Sequence, residues 1–165
     1  MKRKDLVIAG IVALLIGAVL AVWLSPEGLK PAPQVSLRTL DGTALTLADL
    51  RGRPVLVTFW STTCVSCVRE MPHLVELHRK LSPQGLEIVG VAMAFDTPEA
   101  VAEMTQARGL PYTIVHDADA SVAQAFGGVM LTPTTFLISP EGRIVMQKLG
   151  DLDMTLVEHN IRNMI

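Results

Sequence analysis

Cysteine is almost absent from this chain, with two residues in 165. One pair cannot build a disulfide framework, and without a second CxxC there is no four-thiolate zinc site. Aromatic residues are scarce at 4%, and no basic block is present, so nucleic acid is not an expected partner. Neither sign of charge dominates: 14 Lys and Arg face 16 Asp and Glu, a net of −2, which decides little about partners. No repeat of about twenty to fifty residues occurs, which excludes solenoids and propellers. Half the residues are hydrophobic, enough for a core of ordinary size, so the cysteine pair is not there to hold up a weak scaffold.

The one long apolar run lies at the start. Lys2-Arg3-Lys4-Asp5 precedes an uncharged stretch from Leu6 to Leu24, closed by Ser25-Pro26. As a helix, that stretch reaches roughly 28 Å, close to the hydrocarbon thickness of a bilayer. Trp23 suits the outer interface, and the leading positive charges favour the cytoplasmic side. The expectation is a single-pass anchor (1–24) in the inner, cytoplasmic membrane, with the rest of the chain on the periplasmic side. A cleaved signal peptide ending near Val19-Leu20-Ala21 is the competing reading, and it exports the domain equally well. Residues 25–33, with Pro26, Gly28, Pro31 and Pro33, read as a linker, and 34–165 as one domain.

Within that domain the two cysteines stand three positions apart, Cys64 and Cys67, where a β-branched run (Val55 to Phe59) gives way to helical periodicity. Met71, Leu74, Leu77, His78 and Leu81 recur at three- and four-residue steps. A cysteine on the first turn of such a helix meets unpaired N–H groups and the positive end of the helix dipole, which favour thiolate. In an exported domain an isolated adjacent pair closes to a disulfide unless it is continually reduced. A ring so small constrains little chain entropy, so a structural role is poorly served and the pair reads as redox-active. No bound cofactor is expected beyond that disulfide.

The remaining elements alternate. Gln34–Leu40 and Thr43–Leu47 flank Asp41-Gly42 as a hairpin. A helical turn at 48–52 follows, and after the CxxC helix comes a buried strand over 86–93. Thr97 and Pro98 start a helix that runs to Arg108. Strand 112–115, helix 119–126, strands 134–138 and 144–149 around Pro140-Glu141-Gly142, and helix 153–164 complete the chain. This order implies an α/β domain with a central mixed sheet covered on both faces.

The segments FWSTTCVSCVREMP, LTPTTFLI and EGRI resemble those of the membrane-anchored, thioredoxin-like TlpA/ResA-type proteins, and the likeness covers about Gln34 to the end. The resemblance implies a thioredoxin fold with an added N-terminal β-hairpin and a helical insertion. It implies exported thiol–disulfide exchange, often reductive, on client proteins with disulfides in cytochrome c or copper-site maturation, fed by a membrane-borne or exported electron donor.

By position, the resemblance makes Cys64 the exposed nucleophile and Cys67 the shielded resolving thiol. Pro133 matches the family's cis-proline, with Thr132 offering its backbone to an extended client, and Trp60 is expected beside the active-site turn on the client-binding side. Glu70 matches the acidic residue near the cysteines, able to raise thiol pKa by repulsion and to relay a proton. Thioredoxins proper carry a buried aspartate before Phe-Trp, where this chain has Thr58, so any assisting acid should be Glu70. Val65-Ser66 replaces the common dipeptide between the cysteines and leaves the potential open.

Two alternatives use the same residues. A copper chaperone of thioredoxin fold would hold Cu(I) with Cys64, Cys67 and a histidine, but neither a CxxxC nor a Met-rich or paired-His motif supports it, and no metal site is expected. A peroxiredoxin would want proline where Val57 stands.

Overall fold

A computed structural model describes residues 30–165. The expected anchor (1–24) and the first part of the linker lie outside the described residues, and among those described no helix is long and apolar enough to cross a membrane.

Every residue of strand β3 (Val55–Trp60) is buried, which requires layers on both sides of it. Leu56 and Trp60 enter one core and Val55, Val57 and Phe59 the other, as the two-residue period of a strand dictates. Around β3 the sheet takes the order β5-β4-β3-β6-β7, with β4 Glu87–Ala92, β5 Thr113–His116, β6 Thr134–Ile138 and β7 Ile144–Leu149. β3, β4 and β5 run parallel, while β6 and β7 are antiparallel to their neighbours. This is the expected mixed sheet of a thioredoxin-like α/β fold.

One face is covered by helices α1 (Val65–Leu81), α2 (Pro98–Arg108) and α4 (Met154–Arg162), through Met71, Leu74, Leu77, Val101 and Ile161. The other is covered by α3 (Ser121–Ala125) and by the hairpin of β1 (Ser36–Arg38) and β2 (Ala44–Thr46), whose Leu37 is fully buried. There Phe59, Phe126 and Phe136 meet edge-on or tilted, with ring centroids 4.7 to 5.9 Å apart. The hairpin is tied to the sheet by a bridge from Thr39 to Val115 and by the Leu40 N–H on the Ile114 carbonyl, 3.1 Å.

Helix ends follow the expected chemistry, with two refinements. Asp153 lies outside α4 as its cap, accepting from the N–H groups of Thr155 and Leu156. Helix α3 begins two residues after Asp119: buried Asp117 takes the N–H groups of Val122 and Ala123 at 2.9 and 2.8 Å, and Ala120 turns the chain at φ +58°. An acidic side chain satisfying the first turn from outside the helix leaves no periodic signal in the sequence.

Candidate active site

The parallel strand β3 ends in a turn, not directly in a helix. The Cys64 N–H donates to the Ser61 carbonyl (3.1 Å), and Ser61 Oγ accepts from the Thr63 N–H (3.2 Å). Cys64 is therefore the cap of α1 rather than part of its first turn, and its Sγ accepts from the Cys67 N–H at 3.2 Å. That contact is the one a thiolate wants: an N–H at the positive end of a long helix aimed at sulfur. The Ser66 hydroxyl lies 3.4 Å from the same sulfur.

Cys64 and Cys67 form a disulfide, with Cα atoms 5.2 Å apart. They differ in access: Cys64 is partly exposed, while Cys67 is buried against Trp60 and Met71. Attack from solvent therefore falls on Cys64.

The cis Thr132–Pro133 peptide is present, and Pro133 shares a wall with Cys67. The Pro133 carbonyl accepts from the Gly150 N–H (2.8 Å), which fixes the loop after β7 to this shelf. Thr132 is only half-buried, and its backbone groups have no hydrogen-bond partner among the described residues.

Glu70 is buried one turn beyond Cys67, and its Oε1 accepts from the Leu152 N–H at 2.8 Å. Burial, with Asp151 adding to it, pushes its carboxyl above the usual carboxylate range, although His73, Arg69 and the Leu152 bond pull the other way. Arg69 does not neutralise it, since its guanidinium pairs with Asp151 at 2.7 Å. Glu70 is thus a buried acid near the resolving sulfur.

Trp60 requires a correction. It is only 3% exposed, so no client can touch its indole, and it forms part of the wall behind Cys67 instead of a binding surface. The cause is strand alternation: Trp60 shares a face with Leu56 and packs under α1.

The sequence reading missed Asp96. This buried carboxylate, in the loop after β4, accepts from the Thr62 N–H (2.9 Å), Thr62 Oγ1 (2.8 Å) and Ser61 Oγ (3.3 Å). His116, at the end of β5, donates from Nε2 to the Asp96 carbonyl at 2.9 Å. Asp96 clamps the turn that delivers Cys64. Its only sequence signal, acid before Thr-Pro, is absorbed by the start of α2. His116 Nε2 is thereby engaged by the Asp96 carbonyl, and no group of three or more His, Cys, Asp or Glu suited to a metal ion occurs among the described residues.

A family model described as AhpC/TSA matches residues 29–147. The thiol–disulfide oxidoreductase ResA of Bacillus subtilis is 32% identical, covering 99% of this chain and 94% of that protein. ResA of Halalkalibacterium halodurans is 37% identical over 74% of this chain and 68% of its own length. Among solved structures, the thioredoxin domain of a thiol–disulfide oxidoreductase from Bacteroides vulgatus superposes with a TM-score of 0.72 at 26% identity, covering 83% of this chain and 99% of that one.

Proposed function

The chain belongs to the AhpC/TSA family and, within it, to the ResA-type thiol–disulfide oxidoreductases, and on that footing we propose that it works outside the cytoplasm as a membrane-tethered reductase of client-protein disulfides. The observation that carries this reading is the asymmetry of the pair: a reachable Cys64 that caps α1, joined to a buried Cys67 that has an acid beside it.

In the reductive direction, Cys64 thiolate attacks one sulfur of a client disulfide. A Cys64–client bond forms, and the other client sulfur leaves as thiolate. Cys67, its proton taken by the Glu70 carboxylate, then attacks Cys64 Sγ. The Cys64–Cys67 disulfide closes and the second client thiolate departs. Two electrons pass to the client, and an external dithiol donor restores the pair. During the mixed-disulfide stage the client backbone lies against Thr132, whose free N–H and carbonyl offer an edge.

The uncharged run over 6–24 is the tether, with the domain on the periplasmic side, near membrane-borne donors and clients of the cytochrome c or copper-site maturation type. No cofactor beyond the disulfide takes part.

Full-length protein, solubilised and reduced, should reduce insulin disulfides, and Cys64→Ala should abolish this. A pair potential near about −270 mV supports the reductive direction, whereas one near about −120 mV overturns it. A reporter fused after Ile165 should be active only outside the cytoplasm, in the membrane fraction.

A further inference from the structure

Behind Cys67 is a cavity of about 10 Å³, lined by Thr58, Trp60, Cys67, Glu70, Tyr112 and Pro133 among others. Three of these side chains carry a hydrogen with no acceptor among the described residues. Trp60 Nε1, fully buried, has no hydrogen-bond partner among the described residues. Thr58 Oγ1 accepts from Thr135 Oγ1 at 3.0 Å, which leaves its own proton uncommitted. The Tyr112 hydroxyl is on the β5 side, and burial, reinforced by the charge of Glu70, keeps it protonated far above neutral pH.

An indole N–H is a donor only, and buried donors left unpaired are costly, so an orphan here calls for an explanation. Gly90 shows how the two rings come together. A Cβ at that position would lie 3.1 Å from Trp60 Nε1 and 3.3 Å from Tyr112 Cε2, so only glycine leaves both rings where they are.

We propose that Thr58, Trp60 and Tyr112 form a donor pocket that receives the sulfur of Cys67 as a thiolate. The proposal rests on the exchange reaction above and adds positioning residues to it. When an external thiolate attacks Cys64 Sγ, a new S–S bond forms there, the Cys64–Cys67 bond breaks, and Cys67 leaves with the electron pair. The negative charge then develops in a buried site, where fixed donors stabilise it most. In the reverse step the same donors hold Cys67 as the attacking thiolate. Glu70 opposes them by repulsion when ionised and supplies the proton when it is not. The groups facing this sulfur are thus Glu70 from α1 and Tyr112, the residue just before β5, with Arg69, His73 and Asp151 acting on Glu70 from outside.

The test uses the full chain carrying Cys64→Ser, which leaves Cys67 as its one thiol. Its thiolate absorbance is followed against pH. Adding Tyr112→Phe or Thr58→Val should raise the Cys67 midpoint by about one pH unit, the scale of one hydrogen bond to a charged group. Thr58→Ser, which keeps the hydroxyl, should restore it. The Tyr112→Phe shift should persist in Glu70→Gln, and its disappearance there overturns the proposal by routing the effect through the carboxylate. A midpoint unmoved by both Tyr112→Phe and Thr58→Val also overturns it. If Tyr112→Phe does not fold, Thr58→Val against Thr58→Ser decides. The titration involves no turnover, so it can fail while Cys64-dependent insulin reduction succeeds, and the reverse.

Discussion

Removing the Asp96 carboxylate should loosen the turn that carries Cys64. In the structure it accepts three hydrogen bonds, from the Thr62 N–H, Thr62 Oγ1 and Ser61 Oγ, and it is almost fully buried. A hydrogen bond to a charged group contributes about 1.5–3 kcal/mol, and the three share one acceptor, so they do not add in full. Asp96→Ala should therefore cost about 3 kcal/mol. A domain of this size loses roughly 0.3 kcal/mol of stability per degree near its midpoint, so the disulfide-intact protein should melt about 10 °C lower. Asp96→Asn retains one oxygen acceptor, whereas Thr62 N–H and Oγ1 use different oxygens, so it should recover only part of the loss. Because the turn sets where the Cys64 sulfur stands, insulin reduction should fall about tenfold or more. A double-mutant cycle with Thr62→Ala should show a coupling of about 1 kcal/mol or more. An Asp96→Ala protein melting within about 3 °C of wild type, with normal turnover, would refute the clamp.

Glu70→Gln should alter both the pH dependence of stability and the chemistry. Its carboxyl is held above the unfolded value by burial, so its stabilising contribution is complete below the ordinary carboxylate range and is lost as pH rises through the folded value. The variant, whose amide oxygen still accepts from Leu152, should gain stability over wild type at pH 8 relative to pH 4, and melts that differ by the same amount at both values would contradict this. It should also accumulate mixed disulfide in single-turnover reduction, seen by trapping and gel shift. Gly90→Ala inserts a methyl 2.9 Å from Ile114 Cδ1 as well as against the two rings, and should cost about 1–3 kcal/mol in urea unfolding; an unchanged midpoint would mean that Trp60 and Tyr112 reposition freely.

The parts of this molecule that were legible in its sequence are those whose causes are local. Thr97 and Pro98 open α2, and Gly109 at φ +57° closes it, because caps act within a few residues. The hairpin follows from Asp41-Gly42, where Gly42 takes φ +86°. The cysteine pair carries its own context in the strand before it and the helix after it. Asp96 was not legible, because its partners Ser61 and Thr62 lie 35 and 34 residues away, on the far side of a helix and a strand. The burial of Trp60, which sits beside the active-site turn as expected but out of a client's reach, was hidden for a related reason. A strand buried on both faces reads as one apolar run, which hides the face on which each side chain falls.

The position of the acid shows how far residue position and function can separate. In thioredoxins proper the buried carboxylate stands on the strand, just before Phe-Trp; here that position is Thr58, and the buried carboxylate is Glu70, on the helix. In sequence these are unrelated sites. In the folded chain both line the one small cavity behind Cys67. In the exchange mechanism proposed above a titratable group on that wall handles the Cys67 proton, and either the strand floor or the helix roof can supply it. Once the roof supplies it, the floor is free to carry a hydroxyl, and Thr58 can serve the sulfur as a donor where an aspartate would repel it.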